Sequence, residues 1–426
     1  MLKLSSSLKT KEKGFFETKY FTSKLPGIGG KIKSVEEDFI VEEILIDPPV
    51  GEGNHFYLFF QKVRMNTVDL VRILAKLFCV REWEIGYAGR KDSFSFSRQW
   101  FSVACSQEKF FQKKLELEKL NKKNCLFLGF TKGLKKLRKG ALKGNKFKVR
   151  IREVSPNALE KTNQIMQFLV SHKLPNFFGP QRFGIDGNVA NVGRFLLSQD
   201  YDLAVSSLVG EQRLKTIKKI DQPKVYEAID RFENLDFIGA KKLWPNSWLA
   251  EQRVLSCLAK DNSNEKAINS IPFQERNFFG SAFQSQLFNE CLLFRLKSGH
   301  FNTVLQGDIV VSDGMTRPQL VRNIEEFDKL YPENTVSPSG PIYGERMQKP
   351  YGIELDIENA VLLEYDLILE NFTENLTKLG LKGGRRSYGV DVSNVEIHSS
   401  NRDLFLNFEL SKGAFATEVL KEVMKV

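Results

Sequence analysis

The chain has 426 residues, enough for two or three domains and too many for one comfortable core, and 42% are hydrophobic, which excludes global disorder. Its apolar runs fall below the roughly 20 residues a spanning helix needs, and the basic N-terminus MLKLSSSLKTKEKGFF lacks the apolar centre of a secretory signal. The net charge of +11 is uneven: Glu108 to Arg152 holds 16 Lys/Arg against three Asp/Glu, the footprint of a polyanion site or, more plainly, of a Lys-rich solvated loop.

In chain order, residues 1–24 are Ser/Lys-rich and read as a loose arm. Ile40–Ile46 and Phe56–Val63 (FYLFFQKV) are strand candidates. Thr67 stands where an N-cap belongs, and Leu70, Ile73, Leu74 and Leu77 then share one apolar helical face. Trp100–Ala104 and Asn124–Phe130 read as further strands. In Lys146–Arg152, Phe147, Val149 and Ile151 alternate with Lys148, Arg150 and Arg152, so a period of two sends one set to a core and makes the opposite face basic. Leu159–His172 and Phe283–Leu296 have helical spacing, Pro332–Gly344 reads as loop, and the chain ends on a strand, Leu404–Leu410, and a helix, Phe415–Lys425. Sheet signals at both ends around a helical middle predict an α+β chain with one domain inserted into another.

Several runs carry chemistry. In GYAGRKDSFSFSRQWF, Gly86 and Gly89 bracket a turn that presents Lys91 and Asp92; an Asp on such a loop suits nucleophilic or acid–base work, and equally an ordinary turn. In LRKGALKGNKFKVRIR, Gly140 and Gly144 allow close approach of a ligand, Asn145 offers an amide to a base edge, and Phe147 offers a ring to stack on, or a core side chain. PNFFGPQRFG, with Gln181 and Arg182, reads as a structured loop that touches substrate or buttresses the site. GGRRSYG (Gly383–Gly389) reads as a basic turn able to hold phosphate, or as a surface Arg pair, and Phe415 begins the last helix. Five dispersed cysteines and four scattered histidines give no zinc cluster, disulfide framework or triad, and no P-loop, HExxH, GxSxG or well-placed GxGxxG occurs. An Asp-centred, basic, cofactor-independent site remains, in a chain suited to a reducing cytosol.

The order and spacing of these runs resemble the TruD family of tRNA pseudouridine synthases. The resemblance starts at DFIVEEI (Asp38–Ile44) and passes through GEGNHFYLFFQKVRMNT, YAGRKD, KGNKF, NFFGPQRFG, FFGSAFQSQLFN, Gly307-Asp308 and GPIYG to GAFATEVL, covering nearly the whole chain from about Lys31. It implies a mixed-sheet pseudouridine synthase catalytic domain from both chain ends (25–168 and 373–426) around an inserted α/β TRUD domain (169–372). By its motifs Asp92 is the catalytic residue. Asn145 is a pocket amide, Phe147 and Phe415 flank the flipped base, Glu43 supports the site, and Lys91, Gln181 and Arg182 complete the substrate-binding set. Ser93 replaces a usual basic residue and Ser97 a frequent Thr.

The implied reaction converts a uridine of tRNA, uridine 13 by family, to pseudouridine with neither cofactor nor metal. The expected protein is a cytoplasmic monomer that binds tRNA, with no membrane and no obligatory protein partner. Two alternatives stay open: a non-catalytic RNA-binding or chaperone protein on the same fold, and another RNA enzyme such as a methyltransferase, for which no S-adenosylmethionine loop is seen.

Overall fold

The computed structural model describes residues 20–91, 96–121, 124–184, 187–216, 223–312, 315, 317–331 and 335–426. The chain divides into two compact units, named by their order in sequence: an outer one of Thr22–Asn176 with Gly389–Val426, and an inner one whose main body is Phe177–Tyr388. The exchange points lie at 176 and 388, against 168 and 372 read from the sequence. Pairing causes the shift, because Leu174–Pro175 bonds to Gly389–Val390 within the outer unit, while Gly384–Ser387 bonds to Ser339–Ile342 within the inner one. The described end of the N-terminal arm is not loose. Thr22 N and Oγ1 donate to Glu422 Oε2 at 2.8 and 2.6 Å, and Phe21 meets Phe301 edge-on at 5.2 Å.

The first run of elements is β1 (Phe39–Leu45), β2 (His55–Lys62), α1 (Thr67–Phe78), β3 (Gly86–Tyr87), β4 (Phe96–Ala104), α2 (Gln107–Glu118), β5 (Cys125–Gly133), β6 (Leu142–Ile151), α3 (Ala158–His172) and β7 (Leu174–Pro175). Helices α4 (Val189–Leu197), α5 (Tyr201–Val209), α6 (Pro223–Glu233), α7 (Phe237–Leu243), α8 (Leu249–Asp261), α9 (Asn264–Asn269) and α10 (Phe273–Lys297) follow. Then come β8 (Ile309–Val311), β9 (Gln319–Leu320), α11 (Ile324–Leu330), β10 (Ser337–Ile342), α12 (Ile353–Glu364), α13 (Leu369–Lys378) and β11 (Gly384–Ser387). The chain closes on β12 (Gly389–Val390), β13 (Val392–Ser400), β14 (Asp403–Ser411) and α14 (Ala416–Met424).

The outer unit is a mixed sheet in the order β13-β14-β6-β1-β4-β2-β5, with β3 also on β4; β1 and β4 run parallel and the other pairs antiparallel. Its α1 starts one residue earlier than the cap assignment requires. Asn66 is the N-cap, accepting from Asp69 N at 2.9 Å, which frees the Thr67 hydroxyl for tertiary contacts. Leu70 and Leu74 of the expected apolar face are fully buried, whereas Ile73 and Leu77 sit at its margin. In β6 the alternation holds: Phe147, Val149 and Ile151 are buried, and Lys146, Lys148 and Arg150 project from the other side.

The inner unit packs its helices around α10 and carries a sheet in the order β11-β10-β8-β9. Here the sequence reading needs two corrections. The stretch read as a Pro/Gly/Ser loop contains β10, a buried central strand. Its small residues are required because the Tyr388 ring fills the space beside Gly340, where a Cβ would lie 2.3 Å from Cε1. GGRRSYG is neither a surface turn nor a phosphate loop: it forms β11, and the Arg385 side chain is buried against Glu358 Oε1 (2.5 Å) and Glu354 Oε1 (3.7 Å). Arg295, wholly buried, reaches Asp308 Oδ1 and Glu354 Oε2 at 2.8 Å each, and Tyr388 Oη donates to Glu354 Oε1 at 2.6 Å. Two guanidinium groups thus face three carboxylates, and burial pushes the Glu354 and Glu358 carboxyls up.

Replacing Arg295 strands Asp308 and Glu354 in an apolar surround, so Arg295→Met should cost about 3–5 kcal/mol in urea unfolding of the inner unit. A pH effect follows from the same cluster. These glutamates titrate near 4.5 when unfolded and higher when folded, so unfolding releases protons above that value. Inner-unit stability should therefore fall as pH rises from about 4.5 towards about 8, the value to which burial pushes Glu354. Urea midpoints read from Trp244 and Trp248 fluorescence, in a Trp83→Phe, Trp100→Phe background, measure it.

Candidate active site

Across the β1–β6 pair Glu43 stands opposite Asn145, and Val41 opposite Phe147, so these side chains share one face of the sheet. The Glu43 side chain is fully buried. Its Oε1 accepts from Gln99 Nε2 at 3.1 Å and lies 3.5 Å from Lys91 Nζ, and its Oε2 takes Trp100 N at 3.3 Å. Lys91, 10% exposed, also donates from Nζ to Asn145 Oδ1. Burial pushes the Glu43 carboxyl up, and the Lys91 ammonium and the Gln99 and Trp100 donors offset that only in part.

The loop carrying Lys91 is fixed at its backbone too. Lys91 N donates to Thr67 Oγ1 at 2.9 Å, Thr67 Oγ1 donates to Gln99 Oε1 at 3.0 Å, and Gln99 Nε2 donates to Gly89 O at 2.7 Å. Lys62 Nζ, buried on β2, lies 3.4 Å from the same Thr67 hydroxyl. Thr67, Gln99 and Lys62 were missed as site residues by the sequence reading. The signal available was a lysine and a glutamine, Lys62 and Gln99, where alternation with Phe60 and Phe101 calls for apolar side chains; Thr67 carried none, since its type and place suit a cap.

The remaining expected residues divide. Phe147 is 5% exposed, stacked on Phe408 at 5.3 Å and tilted against Phe39 at 6.1 Å, so one ring face is already covered. Phe415, 38% exposed, precedes α14 and follows β14, whose Leu410 and Ser411 pair with Asn145 and Gly144. Gly144 serves that pairing rather than a ligand, since a Cβ there would stand 2.2 Å from Leu410 O. Gln181 and Arg182 belong to the inner unit. Gln181 is exposed, whereas Arg182 donates to Ser281 Oγ (2.9 Å) and Ser285 Oγ (3.2 Å) and lies 5.3 Å over the Phe278 ring. Arg182 buttresses α10. Asp92 and Ser93 lie outside the described residues.

The basic sheet face is also placed. Lys146, Lys148 and Arg150 project from the side opposite Glu43, Asn145 and Phe147. Arg150 is bound to Asp403 (2.5 Å), Arg152 to Asp38 (2.7 Å) and Arg98 to Glu42 (3.2 Å). That face is charge-balanced rather than a strip of free cations. Among the described residues, no group of three or more His, Cys, Asp or Glu could hold a metal ion, and no helix is long and apolar enough to cross a membrane.

Comparison with known proteins places this mixed-sheet chain in a class of RNA-modifying isomerases. Residues 15–423 match the family model described as tRNA pseudouridine synthase D (TruD). The tRNA pseudouridine synthase D of Geobacter sp. (strain M21) is 33% identical over 95% of this chain and 99% of its own, and that of Geobacter sulfurreducens 33% over 96% and 97%. A Methanosarcina mazei protein assigned as tRNA pseudouridine synthase D (TruD) superposes with a TM-score of 0.74 at 25% identity, covering 94% of this chain and 95% of that one. The chain belongs to the TruD family of tRNA pseudouridine synthases.

Glu43→Ala leaves the Lys91 ammonium without its buried carboxylate and should cost about 3–5 kcal/mol in chemical denaturation. Glu43→Gln also removes the charge but keeps the volume and one acceptor oxygen, so it should cost nearly as much; a loss under half that of Glu43→Ala would reject the charge as the reason.

Proposed function

We propose that the chain isomerises one uridine of tRNA, uridine 13, to pseudouridine, with Asp92 as nucleophile. The observation that carries this reading is the buried Glu43–Lys91–Asn145 cluster, in which the motif residues meet on one sheet face. The reaction breaks the C1′–N1 bond, turns the uracil and forms a C1′–C5 bond, while the C5 proton leaves and N1 gains one. Atoms and electrons balance within the nucleotide, so no cofactor or metal is needed.

In this reading the Asp92 carboxylate attacks the sugar or helps to remove a proton from it. Lys91 and Glu43 act as a fixed pair that sets the loop. The Asn145 amide keeps its Nδ2 donors for a uracil oxygen while its Oδ1 is held by Lys91. Taking the uridine from its stack costs about a few kcal/mol, and a ring contact returns roughly 1–3. Phe415, the more open ring, supplies the covering face, and Phe147 an apolar wall. Exposed Gln181 is left to contact RNA, and Arg182 to hold the loop that presents it. The protein works as a monomer in the cytoplasm, without an obligatory protein partner.

Pseudouridine mapping of tRNA treated with the protein alone tests this. Wild type should convert a single uridine, and Asp92→Ala should reduce the rate by on the order of 10⁴-fold or more, as removal of other enzymic nucleophiles does. Equal RNA binding by both proteins with no conversion by either would replace the enzyme with an RNA-binding protein.

A further inference from the structure

The Lys-rich excess in the sequence is not spent on the sheet face, where carboxylates cancel much of it. It collects in the β5–β6 connection, where residues 134–143 hold Lys135, Lys136, Arg138, Lys139 and Lys143 and no acid. Neither these five nor Arg90 forms an ion pair among the described residues. The connection is built in place rather than hanging free. Leu137 N donates to Ser102 Oγ at 2.8 Å and Gly140 N to Ala88 O at 2.8 Å, so it lies along β3 and the start of the loop that leads to Lys91.

Two aromatic rings are set into this basic surface. Trp83, in the short turn Glu82–Glu84, is 66% exposed. Lys136 Nζ stands 5.7 Å from its ring centroid and donates to its backbone carbonyl. Lys139 Nζ stands 5.4 Å from the Tyr87 ring. Burial would raise the Tyr87 phenol, but hydrogen bonds from Lys139 and Arg90 carry it below its ordinary value. The acids beside Trp83 are engaged elsewhere: Glu82 faces Arg72 at 3.6 Å, and Glu84 accepts from Arg81 N at 2.9 Å. No packing accounts for a tryptophan held this open amid cations.

We infer that Trp83, with Lys136, Lys139, Arg90 and the rest of residues 134–143, forms a second RNA contact, a platform on which an unpaired base stacks while the cations hold the flanking phosphates. An aromatic face accepts any base, and point charges hold the backbone without reading sequence, so the ligand class is single-stranded or splayed-out RNA. Chain continuity from Tyr87 through Ala88 and Gly89 to Lys91 places the platform at the base of the proposed catalytic loop, upstream of the residue that reacts. The inference deepens the proposed function, resting on RNA as the substrate but not on Asp92.

The test is filter binding of a short single-stranded RNA and of its duplex to full-length protein across a salt series. Uridine conversion at limiting tRNA is measured in parallel. Trp83→Ala should raise the Kd for the single strand roughly 5- to 150-fold, the equivalent of one lost stack, with a smaller effect on the duplex; Trp83→Phe should recover part of it. The Lys136→Ala, Lys139→Ala pair should make the log–log salt slope shallower by about 1.4. Conversion at limiting tRNA should fall with Trp83→Ala by the same factor as affinity. Thermal melts unchanged by Trp83→Ala exclude a folding defect, as its exposure leads one to expect. Unchanged single-strand affinity, or equal losses for strand and duplex, would overturn the platform. Affinity lost in Trp83→Ala from a wild type that converts no uridine would leave the platform standing and remove the enzyme reading instead.

Discussion

The carboxylate of Glu43 is wholly removed from water, and the outer unit is arranged so that it never lacks donors. A buried ion of this kind costs several kcal/mol in effective desolvation, and the cost is met from three directions: a lysine ammonium, a glutamine amide and the backbone N–H of Trp100. Two donors, Gln99 and Trp100, are neighbours on β4, and the third, Lys91, comes from the loop before it. The requirement therefore pins β1 to β4 and fixes where the Gly89–Lys91 loop crosses the sheet. Lys91 then holds Asn145 on the far side, so a single buried charge sets the spacing of β1, β6 and the loop together. The inner unit solves the same problem on a larger scale, with Arg295 and Arg385 serving Asp308, Glu354 and Glu358. Around that knot gather the motifs Gly307-Asp308, GPIYG and RRSYG.

Much of this was legible from the amino acids. Period-two patterning located β6, and helical spacing located α1 and α3, because each has a one-sided apolar face; α10 was also located, although it is buried all round at Ala282–Asn289. Motif order led to the family, and it named Glu43, Lys91 and Asn145 before their contacts were visible. Three things were not legible, for distinct reasons. The strand β10 reads SPSGPI, which local propensity assigns to a loop; only the neighbouring Tyr388 ring, 48 residues away from Gly340 in the chain, explains why small residues are wanted there. Arg385 and Arg386 looked like surface because the carboxylates that bury Arg385, and the Phe178 ring 4.0 Å under Arg386, are remote in sequence. Thr67 was taken for a cap because its type and position suit one, and whether a hydroxyl turns to its own helix or to a neighbouring loop is decided by tertiary structure.

The electrostatic picture changes most between sequence and structure. Alternating Lys and Arg on β6 look like a polyanion face when counted along the chain. In space Asp403 of β14 pairs with Arg150 and Asp38, in the turn before β1, with Arg152, while Glu42 of β1 takes the neighbouring Arg98 of β4. Among the described residues the lysines of the β5–β6 connection have no such ion-pair partners and keep their charge for solvent or for a ligand. Linear charge density thus located the run of cations but not the surface on which they stay unpaired, since side chains on a strand meet acids from its neighbours.

The outer sheet also imposes an order of events on the growing polypeptide. Strand β6 pairs with β14 from Gly144 to Ile151, and Thr22 is latched by Glu422, with about 400 residues of sequence between the two ends of that bond. A ribosome has made nearly the entire protein before either contact can form. Until then β6 presents a bare edge, and the apolar side of Phe147 and Val149 is short of its cover from Phe408 and Leu406. The main body of the inner unit, Phe177–Tyr388, is continuous in sequence and can assemble first, holding the two halves on one tether. The last 38 residues then act as a closing clasp, and a message truncated by even this small fraction would yield a chain with a finished interior and an open, adhesive sheet.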